Sequence, residues 1–249
     1  MSDLFWPEDS VKGLSLLGWS PDGRLTSDDD LMLLDIANEV FKLDSSGSLT
    51  VDLIEDRSLA AFDILQFQIL GVDERVRMIS GPYSRSPLIN PTVSLIEEAT
   101  LGFYRGYYTS ALATLFIALE KYLRALLSWV PGDPGPTFLR LRNAVHKFPE
   151  SDDKMAIIAL LEGIYARYDA LFPPPFYFNR HGLLHGIRNS MKVDEMNCGR
   201  MFVLFDRLAM AEIPGQVSRG VVIDEALSER LEVYKNCVRL GREMRLLGR

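Results

Sequence analysis

The clearest amphipathic pattern in the chain lies between Tyr107 and Trp129. Its apolar residues recur at intervals of three and four, which is the spacing of one buried helix face: Leu112, Leu115, Phe116, Leu119, Tyr122, Leu123 and Leu126. The proline- and glycine-rich segment 131–136 ends the pattern, because proline cannot continue a helix. A helix of this kind needs other helices to cover its apolar face, so the pattern predicts a helical bundle.

Weaker periodic patterns predict the rest of this bundle. We expect helices at residues 92–104, 137–148, 152–171, 179–189, 194–211 and 223–247. Residues 91–249 are therefore predicted to form one helical domain of a mainly α protein.

Residues 1–90 are predicted to form a smaller mixed α/β region. A helix is expected at about 28–41 with Thr26 or Ser27 as its N-cap, because both hydroxyls can accept a backbone N–H. Residues 49–54 alternate in polarity, which predicts a short strand. A helical pattern follows at 56–79, with Gly71 as a break. Three prolines at 81–91 indicate a linker between the two regions.

The charge of the chain is uneven. Residues 1–90 carry 7 Lys and Arg against 16 Asp and Glu, a net charge of −9, whereas residues 91–249 carry a net +2. This asymmetry indicates either two functional units or an acidic solvated surface, and the sequence leaves both open. The net charge of −7 for the whole chain argues against non-specific binding of nucleic acid over a broad surface, although it permits a local basic cleft.

The composition predicts a cytoplasmic protein with no membrane partner. The first residues lack the basic start and apolar core of a secretory signal. The most apolar stretch, Ala111 to Leu119, is shorter than the ~20 residues that cross a bilayer. Cys198 and Cys237 are far apart in sequence and lie in helical patterns, so we expect reduced thiols.

Two of the three histidines fall in one short segment, Phe178 to Gly186. Asn179 is a plausible helix N-cap, Arg180 follows it, and His181 and His185 share a face because they are four residues apart. Three interpretations stay open at this point. The histidines bind a metal ion, although no HExxH or CxxC supplies further ligands; the cluster is structural; or Arg180 and His185 act together on a phosphodiester.

From Thr92 onward the chain resembles the HEPN superfamily, named for higher eukaryotes and prokaryotes nucleotide-binding domains. The long helix Tyr107 to Leu123 is similar to the second helix of the family, with Glu120 as its buried-side glutamate. The run Arg180-His181-Gly182-Leu183-Leu184-His185 fits the family signature of arginine, a polar residue and a histidine after four to six residues. The whole run from Asn179 to Gly186 looks most like bacterial abortive-infection proteins. Arg142 and His146 are one residue too close for this signature, which indicates an ordinary helix surface.

The resemblance implies a metal-independent endoribonuclease without a cofactor, of a toxin or anti-phage defence type. It assigns charge stabilisation to Arg180 and proton transfer or phosphate positioning to His185. Supporting roles go to Asn179, His181 and Glu120, the last holding Arg180 from a facing helix. Contacts to the RNA backbone are expected from Arg188, Lys192 and Arg200, for which ordinary surface charges are the alternative.

The same resemblance implies a homodimer in which two motifs line one cleft. An antitoxin or regulatory partner is also compatible, and the acidic residues 1–90 are candidates to sense a trigger or cover a basic cleft. Two other functions stay open: a non-catalytic HEPN interaction or nucleotide-binding module, and a metal-dependent hydrolase that uses His181 and His185.

Overall fold

The fold is mainly helical, as predicted. A computed structural model describes residues 6–19, 27–134, 137–148, 152–165, 191–213 and 225–246. Within these ranges it contains ten α-helices and no strand: α1 Glu8–Leu16, α2 Asp28–Ser45, α3 Val51–Ile69, α4 Val72–Met78, α5 Val93–Tyr104, α6 Tyr108–Leu126, α7 Phe138–Val145, α8 Asp152–Tyr165, α9 Met191–Glu212 and α10 Glu225–Leu246. A π-helical turn, Ile79–Tyr83, continues α4, and a 3-10 turn, Asn90–Thr92, leads into α5.

Hydroxyl caps start the first long helices. The Ser27 side chain accepts a hydrogen bond from the backbone N–H of Asp30, and the Asp30 carboxylate accepts one from the backbone N–H of Ser27. The predicted cap is confirmed, and α2 begins at Asp28. Thr50 caps α3 in the same way through the N–H of Leu53.

The strand predicted at 49–54 is wrong, because residues 51–54 form the first turn of α3. Four buried residues, Ile54, Ser58, Ala61 and Leu65, follow one another at helical spacing along α3. Because this buried face is longer than the alternating segment at its start, residues 51–54 adopt the helix and not the strand. The break at Gly71 is confirmed, since Gly71 lies between the end of α3 and the start of α4.

The linker predicted at 81–91 is also corrected. Gly81, Pro82 and Tyr83 are buried in the π-helical turn, and Ser86 and Ile89 are buried after it. Pro82 is buried whereas Pro87 and Pro91 are exposed, and the buried residues between them keep this segment packed against the core.

A single core runs through both predicted regions. Its buried apolar residues extend from Leu14 in α1 to Cys237 in α10. Helix α9 lies at the centre, where it packs against α3, α6, α8 and the π-helical turn. Most of its residues are buried, which is typical of a helix surrounded by others: Met196, Cys198, Met201, Phe202, Val203, Leu204, Phe205, Leu208, Ala209 and Ala211.

Both cysteines are free thiols, as the sequence predicted, and the structure places both in the interior. No helix in the described ranges is both long and apolar enough to cross a bilayer.

Close helix contacts depend on glycine at two positions. Gly13 in α1 lies against the backbone of Ala37 in α2, so a Cβ there would overlap the Ala37 carbonyl oxygen. Gly241 in α10 meets the Tyr104 carbonyl oxygen in the same manner. These contacts hold helices at a distance that only an absent side chain permits.

We predict that Gly13→Ala lowers the free energy of unfolding by about 1–3 kcal/mol, because α1 and α2 must move apart. Gly102→Ala is the matched control: it also lies in a helix, but its new Cβ would meet only the Ala111 Cβ at 3.8 Å. The control should be neutral or stabilising by up to about 1 kcal/mol. Urea denaturation followed by circular dichroism measures both, and equal stability of the two variants would contradict the close contact.

Candidate functional site

Two helices of the core flank the predicted site in the chain. Helix α8 ends at Tyr165 and α9 begins at Met191, and these two helices pack against each other. The segment between them, residues 166–190, is called the motif segment below. It lies outside the described residues, together with five of the predicted site residues: Asn179, Arg180, His181, His185 and Arg188.

Two further predicted residues lie on described helices. Glu120 in α6 accepts a hydrogen bond from Arg124 Nη2 at 2.7 Å, one helical turn away, and its side chain is 25% exposed. Its contact with Arg180 stays a prediction. Lys192 lies in the first turn of α9, and its side chain is outside the described part of the structure.

Arg200 is buried, so the prediction that its guanidinium contacts RNA is wrong. Arg200 Nη2 donates to the Leu17 carbonyl at 2.6 Å and Nη1 donates to Asn197 Oδ1 at 2.8 Å. The guanidinium also lies 5.3 Å from the Trp19 ring centroid. Burial lowers the pKa of Arg200 to about 9, against an opposing effect of Glu55. Arg200 therefore keeps its charge at neutral pH and holds the end of α1 against α9.

The start of α9 is bound to the start of α6 by polar contacts. Thr109 Oγ1 donates to Asp194 Oδ2 at 2.6 Å, and the Tyr108 hydroxyl donates to Glu195 Oε1 at 2.9 Å. One turn later, Cys198 Sγ donates to the Tyr108 carbonyl at 3.4 Å. The helix that follows the motif segment therefore begins at a fixed place. This cluster was not predicted from the sequence, where its available signal is an acidic residue in a helical pattern that is otherwise largely apolar.

Asp194 depends strongly on its threonine partner. The residue is 6% exposed, and its second carboxylate oxygen, Oδ1, is buried and accepts no hydrogen bond from the residues that the structure describes. Burial of a carboxylate with few hydrogen-bond donors costs free energy unless its remaining hydrogen bonds are short and well oriented. Burial together with Asp194 and Glu195 raises the pKa of the Cys198 thiol, so this cysteine stays protonated and is a poor nucleophile.

A buried ion pair joins the middle of α9 to residues 1–90. Arg75 Nη1 and Nη2 donate to the two oxygens of Asp206 at 3.1 and 2.6 Å, and the Tyr83 hydroxyl donates to Oδ1 at 2.5 Å. Burial disfavours the charge on Arg75, but the Asp206 carboxylate together with Tyr83 and Tyr104 raises the pKa of Arg75. Arg75 is 1% exposed, so we assign the pair a structural role.

No group of three or more His, Cys, Asp or Glu side chains in the described ranges is arranged to hold a metal ion. His181 and His185 lie outside those ranges, so the metal alternative stays open. Comparisons with protein-family models, with curated proteins and with solved structures find no match for this chain. Its function is therefore proposed from its own residues and from the resemblance of their spacing to the HEPN signature.

We predict that Thr109→Val destabilises the protein by about 1–3 kcal/mol, because the buried Asp194 carboxylate loses a short hydrogen bond. Thr114→Val on the same helix is the control, since the Thr114 hydroxyl bonds only to the Ser110 carbonyl of its own helix. Chemical denaturation compares the two variants. A Thr109 variant as stable as the Thr114 variant would show that this contact does not hold α9.

Proposed function

We propose that the chain is a metal-independent endoribonuclease of a toxin or anti-phage defence type, acting as a homodimer. Arg180 and His185 are its catalytic residues. The observation that carries the proposal is the run Asn179-Arg180-His181, with His185 four residues on, which concentrates two of the three histidines next to an arginine.

These side chains suit cleavage of RNA by its own 2′-hydroxyl. The 2′-oxygen attacks the adjacent phosphorus and the 5′-oxygen leaves, so the products are a 2′,3′-cyclic phosphate and a 5′-hydroxyl. The guanidinium of Arg180 stabilises the negative charge that builds up on the phosphoryl oxygens. The imidazole of His185 transfers a proton to or from the reacting oxygens near neutral pH. DNA lacks the attacking hydroxyl and resists.

The described helices support this proposal by giving the motif segment two fixed ends. Helices α8 and α9 pack against each other in the core, and the start of α9 is bound to α6 through Asp194 and Glu195. Catalytic groups work best on a rigid support, because small displacements of the reacting atoms reduce the rate strongly. A two-fold axis would then place two copies of the motif in one cleft.

We predict that the purified protein cleaves single-stranded RNA in the presence of EDTA. Arg180→Ala and His185→Ala should each reduce the rate at least about 100-fold, since each removes one transition-state contribution. Arg239→Ala is the matched control, because Arg239 is exposed on α10 and pairs with Glu243. Gel analysis of a labelled oligoribonucleotide gives the rate, and end-group analysis should detect the cyclic phosphate.

The alternatives give different results in the same assay. Cleavage that EDTA abolishes would replace the proposal by a metal-dependent hydrolase that uses His181 and His185. A folded protein that never cleaves RNA would favour the non-catalytic interaction module. Light scattering of the purified chain tests the homodimer separately.

A further inference from the structure

Helix α7 presents an exposed basic face in an otherwise acidic protein. Residues 137–148 contain three Lys and Arg residues and no Asp or Glu, whereas the whole chain has a net charge of −7. The buried side of α7 consists of Leu141, Ala144 and Val145, which pack toward α8 and the core. The exposed residues Leu139, Arg142, Asn143, His146 and Lys147 are called the α7 face.

Helical geometry brings these residues together. Leu139, Arg142, Asn143 and His146 stand at positions i, i+3, i+4 and i+7, so they form one stripe along the helix. Phe138 supports this stripe, because the Arg142 guanidinium lies over its ring at 6.0 Å. Thr137 fixes where the helix starts by accepting the Arg140 backbone N–H. The face is therefore formed by α7 together with its C-cap His146 and the turn that holds Lys147.

The cations of this helix are not neutralised within the described part of the chain. Arg140, Arg142 and Lys147 form no ion pair there, and Arg140 donates to the Pro134 carbonyl. Lys42, Lys121 and Arg242 are likewise exposed without an ion pair there. Several other exposed helical cations do lie beside a carboxylate, as in Lys12–Glu8, Arg124–Glu120, Lys235–Glu232 and Arg239–Glu243. The α7 face thus keeps its positive charge for an external anion.

We propose that the α7 face binds the backbone of single-stranded RNA. The inference rests on the proposed ribonuclease function and names the surface that receives its substrate. Arg142 and Lys147 contact phosphates, because release of condensed counterions makes such contacts favourable. Asn143 and His146 offer hydrogen bonds to bases, and Leu139, which is 57% exposed, offers an apolar surface to a base. The mixture of cations, amide, imidazole and leucine suits RNA better than an acidic peptide.

The test uses a fluorescent 20-residue oligonucleotide with 2′-O-methyl groups, which cannot attack their own phosphates. Binding is then measured by anisotropy without cleavage. In R142Q/K147Q, affinity at 0.1 M salt should fall about 10- to 30-fold. The slope of log affinity against log salt should decrease by about 1.4, since each lost phosphate contact on a single strand contributes about 0.7. Thermal melting verifies that the variant is folded.

The control K12Q/K235Q removes the same total charge from two helices whose cations are already paired. It should bind like the wild-type chain. An equal loss in both double variants would mean that only net charge matters and would overturn the proposal. Unchanged RNA binding by R142Q/K147Q would also overturn the proposal. A wild-type chain that binds phosphatidylserine vesicles instead of the oligonucleotide would overturn it as well.

The two proposals fail separately in these experiments. A protein that binds the methylated oligonucleotide through the α7 face but never cuts ordinary RNA refutes the nuclease and leaves the binding surface intact. A protein whose binding and cleavage survive in R142Q/K147Q refutes the surface and leaves the nuclease intact.

Discussion

The whole structure depends on one helix, α9, which is buried among its neighbours and carries polar anchors along its length. These anchors are Asp194, Arg200, Asp206 and Glu212, placed at intervals of six residues. Each interval rotates the side chain by about 240° around the helix, so successive anchors point in different directions. Asp194 binds Thr109 and Arg200 binds the end of α1. Asp206 binds Arg75, and Glu212 accepts from Ser86 Oγ and the N–H of Leu88.

This arrangement makes residues 1–90 part of the same folded body. Arg75 pairs with Asp206 across 131 positions of sequence, and the Arg200 bond to Leu17 spans 183. Removing one partner of a buried pair commonly costs about 3–5 kcal/mol, because the other charge is left without compensation. Deleting residues 1–90 would therefore expose the core and leave Asp206 unpaired. A regulatory role of the acidic region is better tested by neutralising its exposed carboxylates than by removing it.

The proposed function divides chemistry and binding between two parts of the chain. The motif segment brings an arginine and two histidines, and α7 brings cations that no carboxylate neutralises among the described residues. Helix α8 connects them, since it packs against α7 and against α9. An acidic surface elsewhere would repel RNA from most of the molecule, which leaves the basic face as the favoured place of contact.

Local sequence signals were sufficient to predict many of the helices, but not how the helices pack together. The α2 cap at Ser27, the break at Gly71 and the helical pattern before Pro131 were readable because each depends on residues a few positions apart. The strand at 49–54 was mispredicted because a brief alternation fits either structure until the rest of α3 is packed. The prolines at 81–91 looked like a linker, since sequence does not reveal that Tyr83 and Ile89 are buried.

The features of the candidate site likewise fall into those that the sequence predicted and those that it did not. The sequence by itself determined a mainly helical chain, the free thiols and the arginine–histidine motif, because composition and short-range spacing contain that information. Only the tertiary structure decided that Arg200 is an internal support, that Asp194 fixes the start of α9 and that α7 carries exposed cations without an ion pair in the described part of the chain. Burial and charge pairing arise between residues that are distant in sequence, so no local pattern specifies them.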